Sequence, residues 1–336
     1  MRARTVVPSP LSSPSLLSSP SPLLVLTLVT VLLAGCAAPA PAAAPPSASY
    51  RPVTLDNCGT EVTVERPPER VVAIKSTAIE MLLALGLGDR IVGTAFADGP
   101  LPEAYAGTEL PVLAEKVPGR EALLAARPDF VYAGWESNLT AQGAGDRAAL
   151  AELGVPSYVA PAACKDPEYQ PKPLTREVLE REMREIAEIF GVPERAEKLI
   201  TEQRAELAGV RKDPRQRTVL WYSSGKDTPY VGAGIGAPQL IMESVGLRNI
   251  FADVPDTWSS VSWESVLDAD PDLIVLVDAT WNTAESKRKF LASSPAAALD
   301  AVREQRYLTV RFPAGEGGVA TAEAVASLAR QVEQLP

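Results

Sequence analysis

Apolar residues recur along this chain in two ways, as short unbroken runs and as faces spaced for a helix. The runs Val71–Ile74, Ile91–Phe96, Phe130–Ala133, Thr218–Tyr222, Leu273–Val277 and Tyr307–Val310 predict short strands, several of them apolar on both faces as in a parallel sheet. Val53–Val64 (VTLDNCGTEVTV) alternates instead, which predicts a hairpin. Between the runs lie helical segments: Ala78–Leu85, closed by Gly86, then Gln239–Val245 and the amphipathic Thr321–Leu335. Strands and helices in alternation predict an α/β chain.

The middle of the chain is different. From Leu174 to Lys212 the pattern is helical throughout. Leu179, Met183, Ile186 and Phe190 share one face of a first helix, started at Thr175 with Glu177 in its first turn and ended at Gly191. Pro193 suits the first turn of a second helix, whose buried side is Ala196, Leu199, Ile200, Leu207 and Val210. On either side of this block the sequence repeats itself. Glu121-Ala-Leu-Leu leads through Pro128-Asp129 into Phe130-Val131, and Glu264-Ser-Val-Leu leads through Pro271-Asp272 into Leu273–Val275. Two similar α/β units joined by a helix is the simplest organisation.

The N-terminus is basic (MRAR), then Ser/Pro-rich, then apolar over Leu23–Leu33, and it ends in Leu33-Ala34-Gly35-Cys36. The apolar stretch is short for a membrane span and has no basic stop-transfer flank. It reads as an export signal over 1–35, an uncleaved anchor helix being the alternative. Residues 36–50, largely Ala and Pro, read as a disordered tether. The remaining boundaries fall at 51–173 for a first lobe, 174–213 for the helical connector and 214–336 for a second lobe. The chain has 32 basic and 42 acidic residues, and two of the basic ones, Arg2 and Arg4, lie in the signal. That balance argues against nucleic acid as a partner. There is no histidine, which excludes His-based triads and imidazole metal sites. No metal site is predicted. Besides Cys36 only Cys58 and Cys164 remain; outside the cytoplasm they read most simply as one disulfide, with two free thiols as the alternative.

Candidate binding residues gather where predicted strands end, the place where open α/β sheets hold ligands. Ser76 and Thr77 follow the strand Val71–Ile74, either as ligand contacts or as simple helix caps. Trp135, Tyr222, Trp258 and Trp281 stand at strand ends or in loops and can wall an aromatic ligand or anchor a core. The run Gly232-Ala-Gly234-Ile235-Gly236 lacks dinucleotide-fingerprint spacing. It reads either as a turn or as a helix start with free N–H groups for an anion. Arg311, with Lys226 second, is the candidate anion clamp.

From about Tyr50 to the C-terminus the chain resembles a substrate-binding lipoprotein of an ABC importer, of the class joined by one long helix that serves siderophores, haem and cobalamin. The resemblance is carried by VVAIKSTAIEMLLALGLGDRIVG, EALLAARPDFV, the central helices and WESVLDADPDLIVLV. LAGC likewise resembles a lipoprotein processing site, which implies a lipid on Cys36 and attachment to the outer face of the cell membrane. The class implies two Rossmann-like lobes joined by one long helix, no catalysis and no cofactor. It further implies a monomer that delivers a small-molecule ligand to a permease dimer driven by a cytoplasmic ATPase. Glu121 and Glu264 match the helix-opening glutamates that meet permease arginines. AACKDPEYQP, LWYSSGKDTPYVGAGIGAPQLIMESVGLRNI and LVDATWNTAESK are similar to one actinobacterial subgroup, which implies a lactyl-phospho deazaflavin as ligand. A ferric siderophore or cobalamin is the alternative. Haem would need a tyrosine ligand such as Tyr105, Tyr132 or Tyr158.

Overall fold

A computed structural model describes residues 50–335. The signal, Cys36 and the tether therefore lie outside the described residues. The first lobe contains β1 (Val53–Asn57), β2 (Thr60–Val64), β3 (Val71–Ile74), α1 (Ser76–Ala84), β4 (Ile91–Ala95), β5 (Val112–Ala114), α2 (Arg120–Ala125), β6 (Phe130–Ala133), α3 (Arg147–Glu152) and β7 (Ser157–Val159). Two helices follow, α4 (Arg176–Ile189) and α5 (Pro193–Ala208). The second lobe contains β8 (Thr218–Ser224), β9 (Tyr230–Gly232), α6 (Ala237–Ser244), β10 (Arg248–Asn249), β11 (Trp258–Ser260), α7 (Trp263–Ala269), β12 (Leu273–Asp278), α8 (Ala284–Leu291), α9 (Asp300–Arg303), β13 (Tyr307–Arg311) and α10 (Thr321–Gln334).

β1 and β2 form the hairpin that the alternating stretch predicts. The first sheet runs β5-β4-β3-β6-β7, all parallel. β3 lies between β4 and β6, so the chain leaves it in one direction and returns on its other side. That reversal opens a crevice beyond the carboxyl end of β3. The second sheet runs β11-β9-β8-β12-β13, with β8, β12 and β13 parallel and β9 antiparallel to both neighbours; β10 also pairs with β8.

The repeated Pro-Asp does the same work in both lobes. Asp129 accepts hydrogen bonds from the backbone N–H groups of Glu69 (3.0 Å) and Arg70 (2.8 Å), fixing the entry to β3. Asp272 accepts from the N–H and hydroxyl of Thr218 (2.7 and 2.8 Å), fixing the start of β8. In each copy a left-handed residue, Arg127 (φ 50°) or Asp270 (φ 40°), turns the helix into the strand. The internal repeat is thus structural as well as sequential.

Of the two middle helices, α5 makes the crossing. Met183 and Ile186 of α4 and Phe190 that caps it, with Ala196 and Ile200 of α5, belong to the first lobe's core. Leu207, at the far end of α5, and Val210 just beyond it pack against the second lobe's core. α4 folds back antiparallel on α5, and Arg184–Glu197 (2.6 Å) and Arg204–Glu180 (2.5 Å) tie the pair on the outside. The two helices read from the sequence thus form a hairpin, and α5 is the arm that bridges the lobes. Cys58 and Cys164 form a disulfide that ties the β1–β2 hairpin to the segment following β7. None of the helices among the described residues is long and apolar enough to cross a membrane.

Candidate functional site

Lys75 directly follows β3, at the crevice. Its backbone (φ 81°, ψ 149°) lies close to a region almost reserved for glycine, at a cost of order 1–3 kcal/mol. Its side chain is fully buried and its ammonium group is ion-paired with Asp98 from the loop after β4. Three rings surround that ammonium: Trp135 (3.6 Å to the ring centre), Phe96 (4.3 Å) and, from the second lobe, Phe312 (5.1 Å). A cation held over ring faces in a dry site gains from the ring quadrupoles. Asp98 also accepts from the Ser76 N–H (3.4 Å), and its own N–H donates to Ser76 Oγ (2.8 Å). Burial raises the Asp98 carboxyl above its usual range, and Lys75 opposes that shift.

Glu316 reaches this group from the second lobe. Its carboxylate accepts from Trp135 Nε1 (2.5 Å) and lies 4.0 Å from Lys75 Nζ. Burial pushes it up to about 8, against the pull of Lys75, which favours its protonated form near neutral pH. Glu316 sits in the turn after β13, where glycine is required twice. A Cβ on Gly315 would stand 2.9 Å from the Trp221 ring; Gly317 has φ 83°, and its Cβ would meet Ala162 at 2.9 Å.

Above this floor lies a cavity of about 340 Å³, shared by the two lobes and walled by Trp135, Tyr230, Trp258 and Phe312. Tyr230 and Trp258 are stacked, with ring centres 5.9 Å apart and planes 15° apart. Ser137, Lys165 and Gln170 from the first lobe, with Ser223, Thr257 and Glu316 from the second, add polar groups. Flat apolar walls with a few polar atoms suit a small organic ligand. A larger hollow of about 510 Å³ lies between β2 and α3, away from the carboxyl ends of the strands, and has no such walls. Among the described residues there is no cluster of acidic residues or cysteines able to hold a metal ion.

The residues singled out from the sequence fall into three groups. Trp135 and Trp258 line the cavity. Trp281, 59% exposed, meets the lining residue Phe312 edge-on at 5.6 Å. Ser76 and Thr77 lie beneath the floor, Ser76 bonded to Asp98 and Thr77 Oγ1 buried without a hydrogen-bond partner. The other candidates stand elsewhere. Tyr222 is core: its hydroxyl donates to Gly225 O (2.7 Å), its ring packs on Trp263 and burial pushes its pKa up to about 12. Lys226 is exposed, with its ammonium 5.9 Å from the Phe290 ring centre. Arg311 points across the lobe boundary to Glu80 of α1 (3.1 and 3.3 Å) and is not a lining residue.

The N–H groups of Gly234 and Ile235 are not free for an anion, because they donate to Val254 O (2.9 Å) and Asp256 O (3.1 Å). Only the next residues, Gly236 and Ala237 at the start of α6, border the cavity. Of the tyrosines considered for haem, Tyr132 and Tyr158 are buried away from it and donate to Glu182 and Glu185 (2.5 Å each). Tyr105 lines a groove beside α5 instead. Glu121 and Glu264 stand exposed in the first turns of α2 and α7, and neither joins an ion pair among the described residues. Lys75, Phe96, Tyr230, Phe312 and Glu316 were not among the binding candidates read from the sequence. The available signal was position, since Lys75 and Phe312 each follow a strand directly.

A family model described as "Periplasmic binding protein" matches residues 71–313. The chain is 24% identical over 274 residues to an uncharacterized ABC transporter substrate-binding lipoprotein, YvrC, of Bacillus subtilis, covering 78% of this chain and 82% of that one. It is 27% identical over 220 residues to a vitamin B12-binding protein of Photorhabdus laumondii, covering 62% and 70%. Its fold is similar to that of an ABC-type Fe3+-hydroxamate transport system protein from Saccharomonospora viridis, with TM-score 0.71 and 25% identity over 83% of this chain and 98% of that one.

Proposed function

Because this chain belongs to the periplasmic binding protein family, we propose that it is the extracytoplasmic receptor of an ABC importer and holds a planar ligand with an acidic tail between its lobes. The observation that carries this reading is the cavity, placed at the carboxyl ends of strands from both sheets and walled by Trp135, Phe312 and the Tyr230–Trp258 stack. At about 340 Å³ it lies near the lower end of ligand pockets, which run from about 300 to 1,000 Å³. That size suits a tricyclic ring; a corrin would need the lobes to part. The lactyl-phospho deazaflavin implied by the subgroup resemblance has such a ring, with a polyol, a phosphodiester and a carboxylate. Lys165 lines the cavity and Lys75 lies beneath it, so both offer a cation to such a ligand.

The remaining parts of the proposal concern the partner. Glu121 and Glu264 open equivalent helices in the two lobes, as a symmetric permease dimer requires. A lipid on Cys36 would keep the protein, as a monomer, near that permease. Transport needs binding without turnover, and the protein is not assigned a reaction or a cofactor.

Titrating the chain from Ala37 onward with the lactyl-phospho deazaflavin, a ferric hydroxamate and cobalamin tests the reading. Saturable quenching of tryptophan fluorescence by the deazaflavin alone is the expected result. Binding of only the ferric or corrinoid ligand overturns the ligand and leaves the receptor role.

A further inference from the structure

Lys75 holds a strained backbone, is fully buried and carries its charge to the floor of the cavity. Asp98 neutralises it from within its own lobe. Glu316 is different, because it comes from the other lobe and lines the cavity itself. Its carboxyl receives the Trp135 indole N–H at 2.5 Å and stands 4.0 Å from the Lys75 ammonium. An acidic ligand group that took the place of the Glu316 carboxyl would meet both donors. Burial raises the Glu316 carboxyl and favours its neutral form, and a neutral acid is a weaker partner for an ammonium group than an ionised one.

We propose that Glu316 is an internal stand-in for the ligand's acidic group, and that binding exchanges the Glu316 carboxyl on Lys75 and Trp135 for a carboxylate or phosphate of the ligand. This rests on reading the cavity as the ligand site. The exchange makes the floor selective for ligands bearing an anion beside their ring. It also makes binding break a contact between the lobes, so the ligand replaces that contact with its own. No covalent step is involved.

The test has one arm that needs no ligand. In Glu316→Ala the seat is vacated, and acetate should fill it. The indole N–H resonance of Trp135, identified by its loss in Trp135→Phe, should move and saturate at millimolar acetate in Glu316→Ala. It should stay still in the unsubstituted protein. It should also stay still when Lys75→Met and Asp98→Asn, changed together to leave no lone buried charge, are added to Glu316→Ala. The second arm compares the lactyl-phospho deazaflavin with the same deazaflavin polyol lacking its phospholactyl group. Glu316→Ala should tighten the acidic compound about tenfold and leave the neutral one within twofold. An absent acetate response in Glu316→Ala, or the same response without Lys75, overturns the exchange. So does weaker binding of the acidic compound by Glu316→Ala, which would make Glu316 a direct ligand contact. If acetate saturates the seat while neither deazaflavin binds any variant, the ligand reading falls and the exchange stands.

Discussion

Replacing Arg311 by alanine separates the two roles open to it, anion clamp or tie between lobes. In the structure Arg311 leaves the end of β13 and bonds both oxygens of Glu80 on α1, at 3.1 and 3.3 Å. The Glu80 side chain is 2% exposed and that of Arg311 31%, with Glu323 of α10 a third, exposed member at 3.6 Å. Breaking a buried pair by removing one partner costs about 3–5 kcal/mol. Water reaches part of Arg311, which lowers the expected loss to about 2–3 kcal/mol. Burial already raises the Glu80 carboxyl, and Arg311 is the main group opposing that shift. Without it Glu80 should rise further. A carboxyl raised on folding contributes its stability fully below its unfolded pKa, and that contribution is lost as pH rises through the folded one. The gap between Arg311→Ala and the unsubstituted protein should therefore be widest near neutral pH and shrink toward the ordinary carboxylate range. Urea unfolding at pH 7.5 and pH 5 reads it directly. Adding Glu80→Gln to Arg311→Ala should recover most of the loss at pH 7.5. A gap that ignores pH, or an Arg311→Ala protein of full stability that binds an acidic ligand tenfold more weakly, would refute the tie and restore the clamp.

Three further outcomes are expected. Glu121→Ala and Glu264→Ala should each reduce uptake in cells while leaving the dissociation constant of the purified protein unchanged; a weakened dissociation constant would move them into the cleft. Replacing Cys58 and Cys164 by serine opens a loop spanning 106 residues, and thermal unfolding should show a loss of about 4–5 kcal/mol. Ligand affinity should fall with it, since Cys164 borders the cavity. Burial pushes Glu182 up to about 8, so its stabilising contribution is present below the ordinary carboxylate range and is lost as pH rises through about 8. Glu182→Gln should match the unsubstituted protein only near pH 4.5 and exceed it in stability increasingly from there to pH 9; equal stability at both would show that Glu182 is not held protonated.

The strands, the internal repeat and the two middle helices were legible because each rests on a local pattern. Val71–Ile74 is apolar and buried on both faces, and the two Pro-Asp pairs do identical work. The site was less legible because its contacts are distant in sequence. Arg311 stands at a strand end as expected, but Glu80, 231 residues away, is the one charged residue of α1, with no outward sign of a partner. The Gly234 and Ile235 N–H groups are taken by a loop some twenty residues on, which no glycine pattern announces. A lysine likewise carries no mark in sequence that it will be buried at positive φ among three rings.

The turn that carries Glu316 has one further consequence. With Gly315 packed against Trp221 and Gly317 against Ala162, the main chain there tolerates almost no change, while the side chain between them lines the cavity. Position 316 therefore presents its side chain to the cleft from a fixed mount. A lineage or a designer could alter the charge that the cleft accepts by one codon, without touching the scaffold that holds it.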